Sequence, residues 1–274
     1  MIKTLRNIAA VGLAALGFAL PASATTYSID YSDLWYANPP ESEAGWGINL
    51  SQQNEVLFGT MFIYGADQKP TWYVASNMSP TGNNAFGGPL YSFTGSYFGA
   101  PWTGVTPPNQ VGNINVVFNT ATTGTLTYNV GGVVVTKNII RQTWRLDNLT
   151  GPYVGGTVAL GTQCGGNGGI LINGELTINH AGPTITMTVD FFNASGQDGT
   201  CTYNGTYSQV GSMGAVNNGS YTCKIGGVQN AVTGNFSISE LVNSRNGING
   251  RIAGTTQFCS YAGFFGGVRD VFTH

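Results

Sequence analysis

Two glutamates, Glu41 and Glu43, stand two residues apart between Trp35 and Trp46 and supply the one carboxylate pair in the chain that suggests chemistry. Such a pair beside indole rings is what glycoside hydrolysis uses. One carboxyl group protonates the leaving oxygen, the other attacks or activates water, and aromatic faces stack on the sugar. The reaction needs the two groups on opposite sides of the bond, about 5 Å apart for retention or about 6.5–9.5 Å for inversion. Two carboxylates on one short loop do not face each other across a substrate. Glu41 therefore reads first as a loop anchor, accepting from loop amides or pairing with Arg141 or Arg145, and the hydrolase stays as an alternative.

Other reactive groups are few. The two histidines are His180, before an Ala-Gly-Pro turn, and His274, the last residue. A Ser-His-Asp arrangement needs a buried, oriented histidine and commonly a G-x-S-x-G elbow; His180 reads as an exposed turn residue and the elbow does not occur. The four cysteines, Cys164, Cys201, Cys223 and Cys259, lack the short C-x₂-C spacing of a zinc site, so no metal is expected. Gly-rich pieces such as GGNGG open no helix and are loops rather than phosphate cradles. No catalytic constellation and no cofactor site emerges.

Aromatic side chains are the better functional clue. Trp35, Tyr36, Trp46, Trp72 and Trp102, with Glu41 among them, form the candidate ligand-binding set. Each ring combines a large apolar area with a polar handle, which suits a protein core and a ligand surface alike. In PTWYVAS, Trp72 and Tyr73 must point to opposite faces of a strand, and Trp102 sits in the Pro-flanked loop GAPWTG.

Most of this set belongs to one stretch, LWYANPPESEAGWGINL, residues 34–50. Trp35, Tyr36, Asn38, Pro39, Glu41, Ser42, Gly45, Trp46, Gly47, Ile48 and Asn49 resemble a motif of uncharacterised secreted proteobacterial proteins, W-[YW]-x-N-P-x-E-S-G-W-G-[IL]-N. Asp67, Pro70 and Trp72 fit the D-x-x-x-P-x-W turn that follows it there. Glu43 and Ala44 are extra relative to the motif, so the carboxylate-to-Trp46 geometry is expected to differ. The resemblance spans roughly residues 33–145, and a weaker C-T-Y-x-G-T-Y and G-x-F-G-G-V-R signature covers the rest. The family has no established reaction; what the resemblance implies is the fold.

The elements that position these residues are strands. Outside the first 24 residues no helical period runs for ten residues; short β-branched and aromatic runs recur between Gly, Asn, Pro and Asp turns. Seven runs occupy the first half and eight the second. GADQKP (65–70) joins two strong strands as a hairpin, and Asn129-Val130-Gly131-Gly132 joins another pair. Residues 34–50 read as an aromatic entry loop pinned onto the first hairpin. TITMTV alternates cleanly, with Ile185, Met187 and Val189 on one face. CTYNGTY from Cys201 and CSYAGFF from Cys259 look like one unit used twice, with a Gly where another backbone approaches. Sequential hairpins predict an all-β chain of two antiparallel meander domains, each a barrel or curled sandwich.

All five tryptophans precede residue 150 and all four cysteines follow it, which predicts a Trp-rich domain over 25–148 and a disulfide-containing domain over 149–274. Residues 1–24 read as a secretory signal: Lys3 and Arg6, then the apolar run Ile8–Leu20, then an A-x-A site before Thr25. That run is too short to span a bilayer, so no transmembrane helix is expected and the mature chain is predicted to be periplasmic or extracellular. An even cysteine count in an exported chain means disulfides. Cys201 pairs best with Cys223 across a hairpin folded about Ser212, which leaves Cys164 for Cys259.

Without Lys3 and Arg6 the chain carries eight basic and twelve acidic side chains, and no basic cluster. Nucleic acid is excluded as a partner on that ground. The favoured function is an exported, non-enzymatic binding protein, with a glycan or other small extracellular ligand stacked on exposed tryptophans of the first domain. A structural role at the cell surface or outer membrane is the third alternative.

Overall fold

The computed structural model describes residues 29–104, 107–162, 169–193, 196–226, 232–257 and 259–270. The expected signal peptide, Cys164 and His274 lie outside the described residues.

Side chains alternate and turns recur along the described residues, whose regular elements are strands alone. β1 (Asp33–Ala37), β2 (Gly47–Gln53), β3 (Val56–Tyr64), β4 (Pro70–Gly82), β5 (Ala85–Ser92), β6 (Asn109–Phe118), β7 (Thr123–Val130) and β8 (Val133–Arg141) make one closed antiparallel barrel, barrel A. Barrel B closes in the same way from β9 (Gly151–Thr162), β10 (Gly169–Ala181), β11 (Thr184–Asn193), β12 (Gly196–Val210), β13 (Met213–Ile225), β14 (Val232–Ser244), β15 (Gly247–Thr256) and β16 (Ser260–Arg269). The all-β, two-meander expectation therefore holds, with both units closed barrels. Closure removes every sheet edge. No helix among the described residues is long and apolar enough to cross a membrane.

One expectation is corrected. The start of the aromatic stretch is not loop: Asp33–Ala37 is the strand that closes barrel A, with Trp35 opposite both Ile48 of β2 and Arg141 of β8. Five residues with four consecutive apolar side chains carry no period of two, so only the two neighbouring strands define this one.

Alternation builds each lumen. In barrel A, Ile48 and Leu50, Leu57 and Met61, Leu126 and Tyr128, and Ile139 all face inward. In barrel B, Ile185, Met187 and Val189 face inward as TITMTV predicts. The repeated unit places its aromatics alike: Tyr203 and Tyr207 of β12, and Tyr261 and Phe265 of β16, are all buried. The glycine inside the second copy permits a close approach, since a Cβ on Gly263 would lie 2.1 Å from the Val158 carbonyl oxygen. The β7–β8 turn has positive φ at both Gly131 and Gly132, as a two-residue hairpin with right-handed strand twist requires.

Cys201 lies directly opposite Cys223, and the two form a disulfide inside barrel B across the β12–β13 hairpin, whose turn is Gly211-Ser212. Cys259 is also disulfide-bonded. Replacing Cys201 and Cys223 together by alanine is expected to cost about 3 kcal/mol, from the loop entropy of a sequence separation of 22. Denaturant midpoints of the two oxidised proteins measure this; an unchanged midpoint would show that the barrel constrains its unfolded ensemble without the bridge.

The same hairpin turn docks on barrel A. Ser212 donates from its backbone N–H and from Oγ to Oδ2 of Asp33, each at 2.8 Å, and the Gly211 N–H donates to Oγ1 of Thr143. Asp33 also holds Arg141, whose Nη1 is 3.1 Å from Oδ2. Among the described residues Arg141 is the one buried cation, and carbonyl oxygens of Asp30, Ser32 and Ala121 accept its other N–H groups. Burial pulls the guanidinium pKa down, and the hydrogen bond and charge of Asp33 oppose that shift.

Candidate functional site

Strand direction decides which residues meet. Odd strands of barrel A run toward one end, so residues 38–46, the β3–β4 turn and the β7–β8 turn gather there, while Arg141 and the junction with barrel B close the other. The open end carries two cavities that share one wall, the segment Glu43–Trp46.

The first cavity lies on the outer flank and measures about 650 Å³. Its floor is a register row. Trp35 sits opposite Ile48, which brings the next residue of β1, Tyr36, alongside Gly47, and Gly47 is paired with Phe62 of β3. All three point outward. Gly47 has no side chain and is itself buried, and Tyr36 and Phe62 stand on either side of it in this row, two interstrand spacings or roughly 10 Å apart at the backbone. Leu34, Glu41, Glu43 and Gln142 complete the rim. Phe62 is followed in the same row by Trp72, which stacks on Phe93 with centroids 5.8 Å apart.

The second cavity is the barrel mouth, about 730 Å³, walled by Trp46, Ile63, Tyr73, Tyr128, Val130, Val133 and Val135. Its one cation is Lys137. The alternation of β8 puts Lys137 on the inward face with Ile139, and its Nζ lies 2.6 Å from both carboxylate oxygens of Glu43. The ammonium also sits 5.3 Å from the centre of the Trp46 ring, whose Nε1–H donates to the Tyr128 hydroxyl.

The sequence-derived candidates separate accordingly. Tyr36, Glu41 and Trp46 come together on the flank, and Trp46 faces the mouth as well. Trp35 is corrected from ligand contact to core: it is 0 % exposed, its Nε1–H donates to the Tyr31 carbonyl, and Arg141 covers its ring at 4.9 Å. Trp46 is 7 % exposed, whereas Trp72 at 48 % and Trp102 at 66 % are open but line neither cavity. The expected pairing of Glu41 with Arg141 or Arg145 is also corrected. Arg141 belongs to Asp33, and of the two glutamates of this stretch it is Glu43, one of the two extra residues of the motif, that holds a cation, Lys137. Glu41 is exposed and left-handed, with φ 63°. Both carboxylates come from one side of the flank cleft.

Sequence reasoning missed Phe62 and Lys137. Phe62 becomes a partner of Tyr36 only through the β1–β2–β3 register. Lys137 left a readable signal, a lone lysine at the inward period of VVVTKNIIR. His180 is corrected from exposed turn residue to half-buried clamp: Nδ1 accepts from the Leu149 N–H and Nε2 is 2.9 Å from the Gly182 carbonyl. Among the described residues no three His, Cys, Asp or Glu side chains converge as a metal site. No protein-family model, curated protein or solved structure matches the chain.

Proposed function

We propose that the chain is an exported, non-enzymatic binding protein whose flank cleft on barrel A takes a sugar ring of a glycan. The observation that carries this reading is the flank cavity of about 650 Å³, which Tyr36, Trp46 and Phe62 line together with Glu41. Aromatic faces suit the apolar faces of a pyranose, and Glu41 and Gln142 on the rim suit its hydroxyl groups. The neighbouring Trp72 and Phe93 extend the aromatic surface for further sugar units. The second barrel, joined through Asp33, Arg141 and Ser212, acts as a stable companion.

Isothermal titration against a glycan panel tests this. Binding of at least one glycan is expected, and Phe62→Ala, on an outward position, is expected to weaken it about tenfold while leaving the melting temperature in place. A panel without heat, or a glycan that binds Phe62→Ala as well as the parent, rejects the cleft as the glycan seat.

A further inference from the structure

The barrel mouth has a chemistry unlike that of the flank. Its walls are valine, isoleucine and aromatic rings, and its charged groups are the Lys137–Glu43 pair. The two partners are unequally held. Lys137 rises from an inward position of β8, packs under Trp46 and is 18 % exposed, while Glu43 hangs from residues 38–46 and is 43 % exposed. The cation is thus a fixed part of the lumen, and the carboxylate reaches it from outside. An inward ammonium beneath an apolar cup is complementary to an anion bearing an apolar body, and Glu43 occupies the position that the anion's head would take.

We propose that the mouth of barrel A binds an anionic amphiphile, whose head group replaces Glu43 on Lys137 and whose apolar chain or ring fills the cup of Tyr73, Tyr128, Val130 and Val135. Glu43 then acts as a resident stand-in for the head group. It keeps Lys137 paired when the mouth is empty and swings into water when the ligand arrives. A neutral or cationic amphiphile gains nothing at Lys137, and a cationic head would have to leave Glu43 and Lys137 paired beside it. This inference stands apart from the glycan reading, because its test requires no glycan to bind.

Titration of the whole protein with dodecanoate, read by displacement of fluorescent anilinonaphthalenesulfonate, tests it, with dodecyltrimethylammonium as the cationic comparator. Saturable binding of dodecanoate at one site is expected, with the comparator at least about tenfold weaker. Glu43→Gln removes the competing carboxylate and is expected to tighten dodecanoate about tenfold; Lys137→Met keeps the stem, loses the charge and is expected to weaken it by a similar factor. Glu43→Gln alters a half-exposed side chain, so a gain in affinity is readable even if Lys137→Met folds poorly. Equal affinity for the two surfactants, or dodecanoate affinity unchanged in Glu43→Gln, overturns the proposal.

Discussion

Arg141→Ala is expected to destabilise the protein by about 3–5 kcal/mol, because it leaves the Asp33 carboxylate buried without its cation. The guanidinium is fully enclosed and Asp33 nearly so. The same substitution removes the donors to three backbone carbonyl groups, on Asp30, Ser32 and Ala121, and uncovers the face of Trp35. Because Asp33 also accepts both hydrogen bonds from Ser212, the loss reaches the docking of barrel B. Arg141→Lys keeps the charge but not the planar fork, so it is expected to recover only part of the loss. Equilibrium denaturation of the three proteins measures this. If Arg141→Ala shifted the stability by less than about 1 kcal/mol, the value of an exposed pair, the cluster would not be what holds this end of the barrel.

Barrel B is expected to lose stability steeply in alkali, between about pH 10 and pH 12. Burial pushes the Tyr203 phenol up to about 12, with the nearby Thr157 side chain opposing the rise and Tyr221 adding to it. Burial likewise pushes Tyr207 to about 12, helped by the charge of Asp147. Tyr261 is raised too, by burial first and then by Tyr221 and Tyr203. The sign follows from linkage. Below pH 10 both folded and unfolded chains keep these protons, and the stabilisation is fully present. Above it the unfolded chain releases them while the folded chain holds them, so stability falls until the folded groups also ionise. Tyr203 alone accounts for about 2–3 kcal/mol over those two units. Tyrosinate absorbance followed against pH, with circular dichroism on the same samples, is expected to show a late-titrating set whose ionisation coincides with loss of structure. A single ionisation step near pH 10 with the barrel still intact would mean that these phenols reach water in the folded state.

The two sites differ in how far they were legible. The aromatic stretch marked one neighbourhood of barrel A, since Tyr36, Glu41 and Trp46 line the same cavity. It could not sort the tryptophans, because an indole suits a core and a surface equally and Trp35 lacks the alternating context that would assign its face. Trp72 was better determined: in a regular strand it must oppose Tyr73, and it is the outward member of the pair. Glu41 and Glu43 were indistinguishable by type. Only the closure of β8 against β1 brings Lys137 within reach of one of them, across 94 residues of chain.

What the sequence determined by itself was the strand content, the meander order and the hairpin that sets Cys201 against Cys223. All three follow from local causes: a period of two, turn residues at short spacing, and pairing between neighbours in the chain. The tertiary structure alone decided which short strand closes barrel A, which glutamate holds Lys137, and that Tyr36 and Phe62 stand on either side of Gly47. Those facts depend on register across three strands and on contacts between the chain's first strand and its eighth. Residues so far apart in the chain carry no mark of each other until the barrel shuts.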